Sequence, residues 1–281
     1  MSAFRTIEIS DSAYELGGLR FLTIKSPNLK GRGDVCVWVP ANTPTDQPLP
    51  VYLLLHGVYG SAWIWAMKGG AHTTAQRMMQ SGEIQPAIIA MPSDGLWGDG
   101  SAYAAHNGYD YGKWIVEDVP KALAEQLEQV DETSPICIGG LSMGGYGALS
   151  LGLRYADRIA GISGHSSITR FEEMKLFVEE PLNEYAMPET PMDVIQWLDQ
   201  AKGTIPPLRF DCGVIDELIE GNRLLHQQLI ERNIPHEYTE FQGGHEWPYW
   251  QEHVAKTYRW FDRCLAGELP RIDPATRSTS A

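Results

Sequence analysis

Cations are scarce in this 281-residue chain: 22 Lys and Arg stand against 36 Asp and Glu, a formal charge of −14. A chain so short of Lys and Arg lacks what a sequence-independent nucleic-acid binder uses to neutralise phosphates. It is also repelled by anionic membrane surfaces. Long apolar runs are missing. The longest, at 51–55 and 87–91, are strand-sized, far below the roughly 18 residues of a spanning helix. Cysteine is rare, four in all, which excludes a disulfide scaffold. Cys36, Cys137 and Cys212 lie in apolar, strand-like surroundings and read as reduced thiols. The opening MSAFRTIEIS lacks the basic stretch and apolar stretch of a secretory leader. The H-x-x-x-H and C-x-x-C spacings of zinc sites are absent as well. These absences lead us to expect a cytoplasmic protein with no metal, no organic cofactor, no nucleic-acid partner and no membrane. Formation of a homo-oligomer stays open.

The residues present form an ordinary globular pattern, 43% hydrophobic and 21% charged. The first forty read as an antiparallel meander of strands at 6–10, 19–25 and 35–40, broken by Gly17-Gly18 and by 28–33. A loop with three prolines follows at 41–50. Short apolar runs then alternate with helical stretches. Strands are expected at 51–56, 87–92, 135–139, 158–163, 208–213 and 236–241. Helices are expected at 71–81, 114–130, 143–155, 217–233 and 248–265. Pro120 requires the 114–130 helix to kink or to start later. Near-continuous apolar strands separated by amphipathic helices imply a mostly parallel sheet with helices on both faces. Residues 169–207 interrupt the rhythm; they are helical, rich in Glu and Pro, and suited to capping the sheet edge. The pattern is that of a single α/β domain over 1–266, followed by a flexible tail at 267–281.

The chemistry-bearing motif is Gly140-Leu141-Ser142-Met143-Gly144, a G-x-S-x-G. The pattern alone is weak. Here it follows the apolar strand PICIGG and opens the helical stretch MGGYGALSLGLRY, the strand–elbow–helix setting in which a serine is exposed as a nucleophile. The turn is so tight that a Cβ on either flanking glycine would clash. A hydroxyl needs a base to take its proton, and in this chain order the base comes last. His245, in QGGHEW after the last strand, fits; His226, His236 and His253 read as packing or surface residues. The acid that orients the imidazole lies in RFDCGVID, where Asp216 on the loop is favoured over Asp211. The oxyanion donors are the Met143 amide and, after LLLHG, the Val58 amide, with His56 bracing that loop. Trp63, Trp97, Tyr103 and Trp247 are candidate pocket residues; Trp65 and the apolar residues Phe171, Met174, Phe177, Tyr185 and Trp197 of the insertion either line the site or only pack.

Four blocks in order, LLLHGVYGSAW, GLSMGGYGAL, DCGVIDELIEGNRLLHQQL and FQGGHEWPYW, resemble the putative esterase family of α/β-hydrolases. That family includes S-formylglutathione hydrolases, tributyrin esterases and the feruloyl and acetyl-xylan esterases. The resemblance runs from about residue 35 to 264. It implies an eight- or nine-stranded mixed sheet, Ser142 as nucleophile, Asp216 as acid, His245 as base, and Val58 and Met143 as oxyanion amides. The expected activity is that of a serine carboxylesterase acting on a small-molecule ester. A carbohydrate esterase, an S-formylglutathione hydrolase-like thioesterase and an acyltransferase are the alternatives, and a non-catalytic binding protein is the reading from another class.

Overall fold

The computed structural model describes residues 2–41, 43, 47–187, 193–201 and 203–273. Nine strands form one sheet. They are β1 (Ile7–Ile9), β2 (Leu19–Ser26), β3 (Gly31–Trp38), β4 (Val51–Leu55), β5 (Ile88–Pro92), β8 (Ile136–Leu141), β9 (Ile159–His165), β10 (Leu208–Gly213) and β11 (Glu237–Phe241). Two short strands, β6 (Ala105–His106) and β7 (Tyr109–Asp110), make a separate hairpin in the loop after β5. The sheet order is β1-β2-β3-β5-β4-β8-β9-β10-β11. Pairing is antiparallel from β1 through β3 to β5 and parallel from β5 onwards. The mixed sheet with an antiparallel N-terminal meander is therefore as expected.

The parallel strands are apolar throughout because both faces are covered. Every residue of β4 and β5 is buried. Leu53 and Leu55 enter the core cluster on one face, while Tyr52 and Leu54 enter the cluster on the other. The first face is covered by α3 (Tyr111–Lys113), α4 (Val119–Gln126), α5 (Met143–Arg154), α6 (Val194–Gln200) and α7 (Ile219–Glu231). The second is covered by α1 (Ile64–Met67), α2 (Ala71–Gln80) and α8 (Trp247–Leu265).

Two local expectations change, and one alternative is settled. The α-helix that carries Pro120 starts late, at Val119 instead of 114. A π-helical turn at Trp114–Asp118 joins α3 to α4, and Pro120 falls in the first turn of α4, where a missing N–H costs little. β3 begins at Gly31, because Gly33 is a strand residue paired with Ile24. A Cβ on Gly33 would lie 2.5 Å from Cζ2 of the buried Trp114, so this glycine serves close packing rather than a turn. The tail is tied down as far as Asp273: Ile272 exchanges backbone hydrogen bonds with Ile205 at 2.8 and 2.9 Å, and the Arg271 guanidinium donates to the Ile159 carbonyl at 2.9 Å. Residues 274–281 of the expected tail lie outside the described residues. The insertion at 169–207 is helical, with 3₁₀ turns at Phe171–Leu176 and Leu182–Glu184 before α6, and of it 188–192 and 202 are outside the described residues.

Filling the gap between Gly33 and Trp114 forces a large aromatic ring to move. Gly33→Ala is expected to destabilise the fold by about 1–3 kcal/mol, read as a lower urea midpoint at unchanged m-value.

Candidate active site

All six parallel strands point their C-terminal ends to one edge, the place where open α/β sheets bind ligands. Ser142 stands there between β8 and α5 with φ 55° and ψ −120°, a strained geometry that costs roughly 1–3 kcal/mol. Its neighbours impose it. A Cβ on Gly140 would lie 2.2 Å from the Gly144 carbonyl oxygen, and one on Gly144 would lie 2.3 Å from that of Leu55. The Ser142 amide donates to the His165 carbonyl at 2.9 Å, and its own carbonyl accepts from Tyr146 and Ile168. The twelve-residue helix α5 thus presents its N-terminus to the serine, a place that favours negative charge.

Asp216 and His245 arrive from the ends of β10 and β11. Their loops abut: a Cβ on Gly213 would lie 2.2 Å from the Gly243 carbonyl oxygen. Both Asp216 carboxylate oxygens lie 3.0 Å from His245 Nδ1, and His245 Nε2 lies 2.9 Å from Ser142 Oγ. The carboxylate accepts only, so Nδ1 carries the proton and Nε2 accepts from the serine hydroxyl. The Leu218 amide donates to Asp216 Oδ1 at 2.9 Å, which fixes the carboxylate. Ser142 and Asp216 are each 2% exposed, whereas the His245 side chain is 13% exposed. Glu217 brings a third acidic or imidazole ligand atom within 4.8 Å of Asp216 and His245. The structure therefore brings together all three residues expected from the sequence.

The loop carrying Val58 packs against the elbow. A Cβ on Gly57 would lie 3.2 Å from Ser142 Cβ, and one on Gly100 would touch both Met143 Sδ and Val58 Cγ1. Within this loop Tyr59 donates to the Asp99 carbonyl and Gly60 to the Gly57 carbonyl, while among the described residues the Val58 and Met143 amides have no internal acceptor. His56 braces the loop. Its Nε2 accepts from the Asp94 amide at 3.0 Å, so its Nδ1 donates to the Gly57 carbonyl at 2.7 Å. Asp94 in turn accepts from the amides of Leu96 and Ser101.

The candidate pocket residues separate. Trp63 is 47% exposed. Trp247 is half-buried, edge-on to Trp65 and Trp250. Trp97 packs on His106 and Tyr185. Tyr103 is 1% exposed and donates to the His56 carbonyl at 2.9 Å, so it braces the loop from the core and does not line a pocket. Trp65 is likewise core, donating to the Leu55 carbonyl.

Asp211 belongs to a different network. His165 Nδ1 (2.9 Å), Tyr249 (2.8 Å) and Arg209 all donate to it, and His165 and Arg209 also reach Thr257. Burial alone would raise its pKa, but the charges of His165 and Arg209 outweigh that and hold the carboxyl well below the usual range. His226 and His236 bond to each other at 2.8 Å, and His253 stacks on Phe241; burial pushes the pKa values of His236 and His253 down.

Sequence reasoning missed two groups. One is the His165–Asp211–Arg209 network. The other is the aromatic setting of His245: Phe177 stacks on the imidazole at 4.9 Å and 25°, and Trp250 meets it edge-on at 5.1 Å. Phe177 stood only among the insertion's apolar residues, with no signal for its partner.

The family model described as "Putative esterase" matches residues 26–261. The chain is 26% identical over 264 residues to an acetyl esterase of Caldicellulosiruptor saccharolyticus, covering 87% of this chain and 92% of that protein. Among solved structures, it is similar to a ferulic acid esterase with a TM-score of 0.75 at 20% identity, covering 93% of this chain and 99% of the other. It is also similar to the S-formylglutathione hydrolase (FrmB) of Staphylococcus aureus with a TM-score of 0.72 at 20% identity, covering 90% and 99%.

Removing the charge of Asp211 leaves the buried Arg209 facing only the half-exposed Glu237, 3.6 Å away, among the described carboxylates. Asp211→Asn is expected to cost about 3–5 kcal/mol of stability, measured by chemical denaturation. Folded variant should keep its ester turnover within a few-fold; a selective loss of turnover at full stability would reassign Asp211 to the chemistry.

Proposed function

The chain belongs to the Putative esterase family and is an ester-hydrolysing enzyme; we propose that it is a serine carboxylesterase in which Ser142 is the nucleophile, His245 the base and Asp216 the acid. The observation that carries this reading is the unbroken hydrogen-bond chain from Asp216 through His245 to Ser142 Oγ, with distances of 3.0 and 2.9 Å.

Ser142 Oγ attacks the ester carbonyl carbon while its proton passes to His245 Nε2. The carbonyl oxygen gains the negative charge. The Val58 and Met143 amides are placed to receive it, and each such donor is worth about 3–4 kcal/mol in the transition state. The buried Asp216 holds the Nδ1–H tautomer and stabilises the imidazolium. Collapse of the tetrahedral intermediate breaks the ester C–O bond, and the alcohol leaves with the proton from Nε2. A water molecule then gives its proton to His245, attacks the acyl carbonyl, and releases the acid and free Ser142.

A second reading within this chemistry is an ester of a sugar or an aromatic acid. It is favoured by the exposed aromatics Tyr59 and Trp63 on the segment after β4, flat surfaces suited to stacking, of which Tyr59 bonds to Phe177 beside His245. The names of the similar proteins, acetyl esterase and ferulic acid esterase, agree with it. Asp99, Glu179 and Glu180 gather around Tyr59 and disfavour substrates with carboxylates, such as glutathione thioesters. All four cysteines carry free thiols, and among the described residues no helix is long and apolar enough to cross a membrane. We place the enzyme in the cytoplasm on the thiols.

Ser142→Ala is expected to lower hydrolysis of p-nitrophenyl acetate by at least about 10³-fold and to abolish labelling by a fluorophosphonate, with the thermal midpoint kept. Labelling that persists in the variant would remove Ser142 from the reaction. Asp216→Asn is expected to cost about 10²–10⁴-fold in kcat. Comparing p-nitrophenyl esters of rising length with methyl ferulate and acetylated xylan, with product analysis in added alcohol, separates the substrate classes and acyl transfer.

A further inference from the structure

The imidazole of His245 has polar partners at both nitrogens and aromatic partners on its ring. Trp250, three residues into α8, meets it edge-on at 5.1 Å and 89°. Phe177 lies nearly parallel to it, with centroids 4.9 Å apart and planes 25° apart. Phe177 belongs to the insertion between β9 and β10, not to the sheet loops that carry Ser142, Asp216 and His245.

Its position is held from two sides. Its amide donates to the Met174 carbonyl at 2.9 Å, closing the 3₁₀ turn. Its carbonyl accepts from the Tyr59 hydroxyl, on the loop of Val58. Two further bonds run beside this one. The Glu179 amide donates to Asp99 Oδ2 at 2.7 Å, and the Asp99 amide donates to the Glu180 carboxylate at 3.1 Å. The insertion is thus clasped to the oxyanion loop and the β5 loop, and the clasp sets the Phe177 ring over the base.

Resting on the triad reading above, we propose that Phe177 is a positioning residue for His245: its ring face holds the imidazole in plane and stabilises the imidazolium formed when Ser142 attacks. An aromatic face carries negative partial charge and attracts a cation stacked within about 6 Å. The benefit grows as His245 gains its proton, so it belongs to the transition state more than to the resting enzyme. The charged and titratable groups facing His245 are Asp216 and Glu217 from the β10 loop and Ser142 from the elbow; Glu246 adjoins it on its own loop, and Tyr59, Asp99, Glu179 and Glu180 stand behind Phe177. These groups are unchanged by a substitution at 177, which leaves the ring face as the variable.

The test compares Phe177→Leu, which keeps an apolar cover without a π face, with Phe177→Trp, which keeps the face. The readout is kcat/KM for p-nitrophenyl acetate against pH, whose acid limb reports the base of the free enzyme. Phe177→Leu is expected to move the midpoint of that limb down by about half a pH unit and to lower the plateau several-fold, mainly in kcat. Phe177→Trp should restore both. Thermal midpoints of each variant identify loss of folding, and Phe177→Met replaces Leu if that variant is unstable. An acid limb that stays in place in the aliphatic variants, or that Trp fails to restore, overturns the proposal. Failure of the triad reading is separate: it requires wild-type turnover to survive Ser142→Ala.

Discussion

A Cβ on Gly144 would lie 2.3 Å from the Leu55 carbonyl oxygen and 2.5 Å from that of His56. That contact, between the first turn of α5 and the end of β4, governs the rest of the site. It allows the helix to start hard against the sheet, and the chain can then turn only by placing Ser142 at φ 55°. The turn lifts the hydroxyl clear of the sheet edge, aims the N-terminus of α5 at it, and leaves the Met143 amide beside it. The same close approach brings the loop after β4, with Val58, next to the elbow. The position of the Ser142 hydroxyl, the field of α5 and the placement of the Met143 and Val58 amides thus derive from one steric requirement.

Below the elbow lie two histidine–carboxylate pairs, and their difference is instructive. His165 and Asp211 are bonded at 2.9 Å, much as His245 and Asp216 are at 3.0 Å. The first pair is closed off by Arg209, Tyr249 and Thr257 and sits at 1% and 0% exposure. Its second ring nitrogen faces Thr257, deep between β9 and α8. The second pair opens to solvent at the imidazole and faces a serine held by a strained turn. Residue types alone do not separate a brace from a base; access and the geometry of the partner do.

The legible part of this fold is the part that single elements specify. Apolar runs buried on both faces mark the parallel strands, and β10 is read to the residue. The glycines of the elbow and the late G-G-H make Ser142 and His245 stand out without any contact information, whereas the sequence only favours Asp216 over Asp211. What escapes is produced by approach between distant segments. Gly33 resembles a turn residue because its partner, Trp114, is 81 positions away. Tyr103 follows a strand at the binding edge, yet a left-handed backbone at φ 53° turns it into the core. The π-helical turn before Pro120 buries Trp114, Ile115, Val116 and Asp118, and no local pattern announces it. Phe177 is one aromatic among several in a polar insertion until the base is placed against it.

β11 is the last strand of the sheet, bonded to β10 alone, and none of its residues is buried. Glu237 and Glu240 lie on opposite faces of this strand, paired with Arg209 and Arg223, and such charges suit an edge that must not recruit other chains. Segments with few buried apolar contacts open at free energies below that of the whole domain. The loop of His245 hangs from this strand, while Ser142 is rooted beside the centre of the sheet. The hydrogen-bonded chain thus links a central strand to the margin of the sheet. Opening at this margin parts His245 from Ser142 while the central strands keep their pairing.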